Sequence, residues 1–273
     1  MISPTSNHPD NWKALFPWPQ DHYNKYDRGS VFVVAAKPEM AGAAKMCAKS
    51  ALRIGAGLAT IACEKQHLVY YASSALSVMT RSFENNQELY SYFHNPKYTT
   101  LVLGPGMGVS EQTKEHVLHA LATAKPVMLD ADALSSFQTK PSQLFDAMKG
   151  PTILSPHEGE FKRLFTLTQD RVISALTAAT QSHAVIILKG HDTIIASPDG
   201  HVVINHSAPA WLATAGSGDV LSGICSGLLA NHVDPFIAAC IGVWIHSECA
   251  HKIGPGLIAE DLIEAIPAVL VDL

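Results

Sequence analysis

Short, continuously apolar runs recur along this chain, and most are followed by a helical pattern. Val31–Ala36, Leu58–Cys63, Leu101–Leu103, Val127–Asp130, Ile153–Ser155 and Val185–Lys189 are such runs. Between them, Glu39–Gly55, Glu111–Ala122, Glu158–Phe165 and Arg171–His183 read as helices. A strand that is apolar at every position has both faces covered. Strands of that kind alternating with helices predict an α/β fold: a central, mostly parallel sheet with helices on both faces. Asp192–Ala196 and His201–Asn205 flank Ser197-Pro198-Asp199-Gly200, a hairpin signal. The C-terminal part reads as helices near Ser217–Ala230, Pro235–Lys252 and Ala259–Ile266. Residues 1–28 read as an irregular leader whose aromatics can pack on the rest, and residues 29–273 as a single domain.

Bulk properties narrow the function classes. With 47% hydrophobic and 16% charged residues in 273, a sizeable core is expected. The net charge of -5 comes without a basic stripe, which argues against a nucleic-acid partner. No apolar run reaches about eighteen residues, so no membrane span is predicted. The N-terminus lacks a signal-peptide pattern. Cys47, Cys63, Cys225, Cys240 and Cys249 lie in apolar stretches without C-x-x-C, and read as reduced core thiols of a cytoplasmic protein.

In parallel sheets, ligands sit beyond the carboxyl ends of the strands. Four polar or glycine loops fall there: Gly104–Gly108, Asp130-Ala131-Asp132, Ser155–Glu160 and Lys189–Thr193. Gly104–Gly108 lacks dinucleotide-fingerprint spacing and also reads as a tight strand-to-helix turn. Asp132 is favoured as the N-cap of a helix at Ala133–Phe137, while Asp130, ending a buried strand, needs a polar partner or a cation. His157 and Glu160 face one site, or form a cap-and-dipole arrangement; Glu160 also suits a magnesium hydration shell. Lys189 is a site residue or a snorkelling lysine, and Gly190 with Thr193 suits a turn that receives a nucleotide. His246, Cys249 and His251 have the wrong spacing to gather a zinc ion on one helix face.

The segment Ala213-Thr214-Ala215-Gly216-Ser217-Gly218-Asp219 is the most chemically informative. Small residues let backbone N–H groups crowd around an anion, and a helix N-terminus opens directly behind them. Asp219, in the first turn, is either a dipole residue or a base placed beside bound phosphate.

Taken together, these motifs resemble the ATP- or ADP-dependent NAD(P)H-hydrate dehydratases of the ribokinase-like superfamily. Lys25-Tyr26-Asp27-Arg28-Gly29, Met40–Ala44, Ala51–Leu58, Gly104–Gly108, Leu129–Leu134, Ser155–Phe161, Leu188-Lys189-Gly190 and Ala213–Gly223 follow the family pattern in order. The resemblance implies a ribokinase-like fold and repair of hydrated NADH or NADPH. The added hydroxyl is phosphorylated by a nucleotide, and phosphate then leaves. Position by position, it implies Asp219 as base, with Ala215, Gly216, Ser217 and Gly218 as the anion hole. It implies Lys189, Gly190, His191, Asp192, Thr193 and Gly218 at ADP or ATP. It implies Ala43, Gly106, His157 and Asp219 at the hydrate, and Glu160 near Mg2+, through water. It further implies a homo-oligomer with a functional link to a separate NAD(P)H-hydrate epimerase; the fused epimerase domain of many relatives is expected to be absent. The chain departs from the pattern at Ala35-Ala36, at Glu158 and at Pro209-Ala210-Trp211, where Trp211 adds bulk near the approach to the site. A small-alcohol kinase and a non-catalytic nucleotide sensor are the alternative readings on the same fold.

Overall fold

Strand β2 (Ser30–Val34) is buried at every residue. Its side chains alternate between two cores: Val31 and Val33 join one, Phe32 and Val34 the other. The computed structural model describes residues 4–73, 76–206 and 208–273; residues 1–3 of the N-terminal segment fall outside them. The other strands are β1 (Thr5–Ser6), β3 (Leu58–Glu64), β4 (Met79–Phe83), β5 (Thr100–Leu103), β6 (Val127–Leu129), β7 (Thr152–Leu154), β8 (Val185–Leu188), β9 (Thr193–Ala196) and β10 (Val202–Asn205). Among the described residues they form one sheet in the order β1-β10-β9-β8-β7-β6-β5-β2-β3-β4. Pairing is parallel except at β9–β10, the expected hairpin, and at β8–β9, where the turn at 189–192 also makes it antiparallel. The chain runs outward from β2 to β4, then returns to β5 and continues the other way. That reversal, between β2 and β5, opens a crevice at the carboxyl ends of the strands.

One face carries α1 (Ala41–Ile54), α9 (Ser217–Ala230), α10 (Pro235–Ile253) and α11 (Ala259–Val271). The other carries α3 (Asn86–His94), α4 (Glu111–Leu121), α5 (Ala131–Ser135), α6 (Pro141–Ala147), α7 (Glu158–Leu164) and α8 (Arg171–Ser182); short α2 (Leu68–Ala72) packs near β4. The fold is therefore the α/β arrangement expected, with helices on both faces. All five cysteines are buried and free. No helix of the described residues is long and apolar enough to cross a membrane.

Several boundaries differ from the sequence reading. The helix expected from Glu39 starts two residues later, because Pro38–Met40 forms a 3-10 turn. Strand β4 and helix α3 have no counterpart in that reading. β4 is an edge strand whose outward residues are polar or exposed, so it lacks a continuous apolar run. Near the N-terminus, Thr5–Ser6 adds to the sheet beside β10. Trp12 is buried there, edge-on to Trp244 at 5.5 Å, and its indole N–H donates to Asn7 Oδ1.

The contact of α1 with α9 positions the site, and two glycines permit it. A Cβ on Gly223 would lie 1.9 Å from Ser50 Oγ and 2.1 Å from the Cys47 carbonyl oxygen. On Gly227 it would lie 2.4 Å from Ile54 Cγ2 and 2.7 Å from the Ala51 carbonyl oxygen. Alanine normally gains about 1 kcal/mol over glycine inside a helix. Here it must push a backbone carbonyl away, and overpacking costs about 1–3 kcal/mol. Gly223→Ala is therefore expected to lower the thermal midpoint despite its better helix propensity. An unchanged or raised midpoint in a melting experiment would contradict this close approach.

Candidate active site

The first turn of α9 is built to leave donors free. Gly216 is its N-cap, with φ +86, a left-handed backbone that favours glycine, and no side chain caps the helix. The Ser217 N–H donates to the Thr214 carbonyl oxygen at 3.3 Å, while the rest of the first turn and the positive end of the dipole face outward beside Asp219.

Asp219 is half-buried, and its pKa is raised to about 7. Burial is the main cause; the charge of Asp130 adds to it and that of Lys189 opposes it. Asp130 follows β6 and is almost wholly buried. Its Oδ1 accepts from the Ala131 N–H and from Lys189 Nζ, each at 2.8 Å, and its Oδ2 accepts from Ser222 Oγ at 2.8 Å. The polar partner that Asp130 required is therefore Lys189, and Lys189 is not a snorkelling side chain.

The N-cap assignment needs correcting. Asp130, not Asp132, caps the helix, which starts at Ala131. Asp132 Oδ2 instead accepts from the Gly108 N–H at 2.7 Å and fastens the glycine loop to this corner. The loop is packed tightly there, since a Cβ on Gly104 would meet the Asp130 carbonyl oxygen at 1.8 Å. Gly106 lies against Met40 and Ala43 at the start of α1, beside the β2–β5 crevice. Ala43 and Gly106 are thus neighbours, as the sequence pattern requires of one wall.

His157 and Glu160 form a capping box at the start of α7. His157 Nδ1 accepts from the Gly159 N–H at 2.9 Å, and Glu160 Oε2 accepts from the His157 N–H at 2.9 Å. Burial raises the Glu160 pKa, against the opposing charge of Lys189, whose Nζ lies 4.0 Å from its carboxylate. No group of three or more His, Cys, Asp or Glu side chains is poised to enclose a metal among the described residues. Carboxylates spread around one corner suit an ion that keeps several waters, which is how magnesium binds alongside phosphates.

A cavity of about 640 Å³ opens against this corner. His157, Lys189, Gly190, His191, Thr193, Ser217 and Gly218 are among its walls. Thr193 Oγ1 donates to the Gly190 carbonyl oxygen and closes the loop between them. Asp192 faces elsewhere: its carboxylate lies near His191 and His206, at 3.4 and 3.5 Å. Trp211 does not line the cavity, because its indole N–H donates to the Ala250 carbonyl oxygen on α10. Arg171 is a residue that sequence reasoning missed. Its guanidinium donates to the Lys189 and Asp192 carbonyl oxygens and pairs with Glu158, bracing the loop from behind. A lone arginine opening a helix gave no signal for that role.

The fold is ribokinase-like. A ribokinase-like superfamily protein of Enterococcus faecalis shares the fold with a TM-score of 0.82 at 22% identity, over 93% of this chain and 91% of that one. The sequence profile of the NAD(P)H-hydrate dehydratase family matches residues 31–267, and the chain belongs to that family. An ADP-dependent (S)-NAD(P)H-hydrate dehydratase of Bacillus subtilis is 31% identical over 267 residues, 94% of each chain. A bifunctional NAD(P)H-hydrate repair enzyme of Moorella thermoacetica is 34% identical over 89% of this chain, but over 49% of its own length. This chain spans about half the length of such bifunctional relatives. The crystal structure of an ADP/ATP-dependent NAD(P)H-hydrate dehydratase from Bacillus subtilis, co-crystallized with ATP/Mg2+, has a TM-score of 0.87 at 27% identity, over 100% of this chain and 99% of that one.

The raised pKa of Asp219 carries a stability consequence. Below its ordinary value of 3.8, folded and unfolded chains both hold the proton. From there to about pH 7 only the folded chain holds it, so rising pH favours unfolding. Asp219→Asn is expected to change the thermal midpoint little near pH ~4 and to raise it near pH ~8, by stability on the order of a few kcal/mol. A carboxylate serving only the helix dipole gives the opposite sign, a loss of roughly 0.3–1 kcal/mol at the higher pH.

Proposed function

We propose that this chain restores hydrated NADH or NADPH to the reduced coenzyme, spending ATP or ADP. The observation that carries the reading is Asp219, a base with a pKa of about 7 beside the uncapped first turn of α9. Its relatives' names and its family membership support the substrate class.

The residues divide the work as follows. Ala215 and the N–H groups of Gly216, Ser217 and Gly218 cradle the transferred phosphoryl group as an anion hole. Lys189, Gly190, His191, Asp192, Thr193 and Gly218 hold the nucleotide, Asp192 through its backbone, which Arg171 fixes. Ala43, Gly106 and His157 border the hydrate. Glu160 would hold magnesium, and the ion would neutralise phosphate charge when bound.

Asp219 takes the proton of the added hydroxyl, and the freed oxygen attacks the terminal phosphorus of the nucleotide. The nucleotide leaves one phosphoryl group shorter. Phosphate then departs with the electrons of the carbon–oxygen bond, and a proton leaves the ring, so the double bond returns. Asp219 loses its proton to solvent and is ready again. A pKa near 7 leaves an appreciable ionised fraction at neutral pH and keeps the carboxylate basic enough for the transfer. An NAD(P)H-hydrate epimerase is the partner activity this reading implies, in line with the bifunctional repair enzymes among the relatives.

Purified protein is expected to return reduced-nicotinamide absorbance from hydrated NADH only with nucleotide and magnesium present. Asp219→Asn should lower turnover by about a hundredfold or more, while nucleotide affinity holds or improves. Near-normal turnover in that variant would refute the base assignment. A stable phosphorylated product would favour a small-alcohol kinase instead.

A further inference from the structure

His246 is a buried group facing the nucleotide cavity that the mechanism above does not use. It projects from α10 and lines the cavity beside Ser217. Its Nε2 lies 3.0 Å from the Ser217 carbonyl oxygen and 3.1 Å from Ser217 Oγ. A carbonyl oxygen can only accept, so Nε2 carries the hydrogen. Burial pushes the imidazole pKa down to about 4, so the ring is neutral and that hydrogen is its one N–H. Ser217 Oγ therefore meets a donor at Nε2 and can only accept from it. The hydroxyl keeps its own hydrogen to give elsewhere.

Ser217 is the first residue of α9 and also lines the cavity. A serine hydroxyl at a helix start otherwise turns toward nearby backbone carbonyls. Contact with Nε2 holds Oγ in place and leaves its hydrogen for an acceptor in the cavity.

We propose that His246 is a positioning residue that fixes the Ser217 hydroxyl as a side-chain donor to a phosphate oxygen of the nucleotide, added to the backbone donors of the same turn. This rests on the nucleotide-binding reading of the cavity. It assigns a role to a side chain outside the glycine loop, and to the hydroxyl of Ser217 as distinct from its N–H.

Calorimetric titration of the full chain with ADP or ATP and magnesium, without hydrate, tests the proposal. A hydrogen bond to a charged acceptor makes the expected loss for Ser217→Ala about tenfold or more in affinity. His246→Leu should lose a similar factor. His246→Gln, whose amide places an N–H near the Nε2 position, should stay within about threefold of the parent. The double variant Ser217→Ala/His246→Leu should bind no more weakly than Ser217→Ala alone, because one group acts through the other. In turnover assays the single variants should raise KM for nucleotide more than they lower kcat. Parent-like affinity in Ser217→Ala overturns the proposal, and so does a double variant that loses the product of both factors. Ser217→Ala removes one oxygen, so the test holds even where His246→Leu folds poorly. If Ser217→Ala binds normally while the parent still returns NADH, only this proposal fails. If the parent binds nucleotide but returns no NADH, the dehydratase reading fails and the role of His246 is still decided by the affinities.

Discussion

The ion pair between Asp130 and Lys189 is the interaction on which the site depends. It joins the ends of β6 and β8, and through Ser222 it reaches α9. A carboxylate as buried as Asp130 must be paired, and removing one member of such a pair costs about 3–5 kcal/mol. The pair also acts on Asp219 from both sides. Asp130 pushes that pKa up and Lys189 pulls it down, on top of the larger effect of burial. A value near neutrality is thus a balance between burial and the charges of Asp130, Asp132 and Lys189. Structural and chemical roles are fused here, because the charges that close the sheet's carboxyl edge also set the strength of the base.

Geometry follows from the close seam between α1 and α9. Gly223 and Gly227 let the two helices approach to backbone contact. That fixes where the first turn of α9 stands over the sheet. Ala43 on α1 then comes beside Gly106, at the strand-order reversal between β2 and β5. On the other side of the same turn lies the cavity bounded by Lys189, Gly190, His191 and Thr193. Two ligands approaching from these two sides would meet at Asp219. Phosphoryl transfer needs that arrangement, since donor and acceptor must lie in line with the base beside the acceptor.

Much of this was readable from residue order, and the failures have physical causes. Doubly buried strands such as β2 and β5 declare themselves, because every position after the first is apolar. The helix Ser217–Ala230 was placed at its observed ends, since Gly216 marks its start and an unbroken run of small and apolar residues continues it. β4 was invisible because an edge strand needs only one covered face. The capping residue before α5 was misplaced by two positions, since Asp130 and Asp132 are both good caps and only the tertiary contact with Gly108 assigns Asp132 elsewhere. Arg171 and His246 carried no local signature at all. Each acts on a loop or helix start that is distant in sequence, and such long-range hydrogen bonds leave no trace in spacing.

The charge balance of the corner bears on what it can bind. Asp130, Asp132, Glu160 and Asp219 converge around Lys189, and Lys37 lies against Gly108, the loop residue that Asp132 fastens. Lys189 is already engaged by Asp130, so it has little charge left to attract a polyphosphate. The remaining positive field comes from Lys37 and from the uncapped start of α9, whose dipole is worth roughly half an elementary charge. That is too little to hold several phosphate charges beside ionised carboxylates. A divalent cation arriving with the nucleotide resolves the conflict, because it is attracted by the same carboxylates that repel bare phosphate. On the proposed reading, dependence on a magnesium–nucleotide complex would follow from the electrostatics that keep Asp219 basic: fewer acidic neighbours would ease phosphate binding and weaken the base.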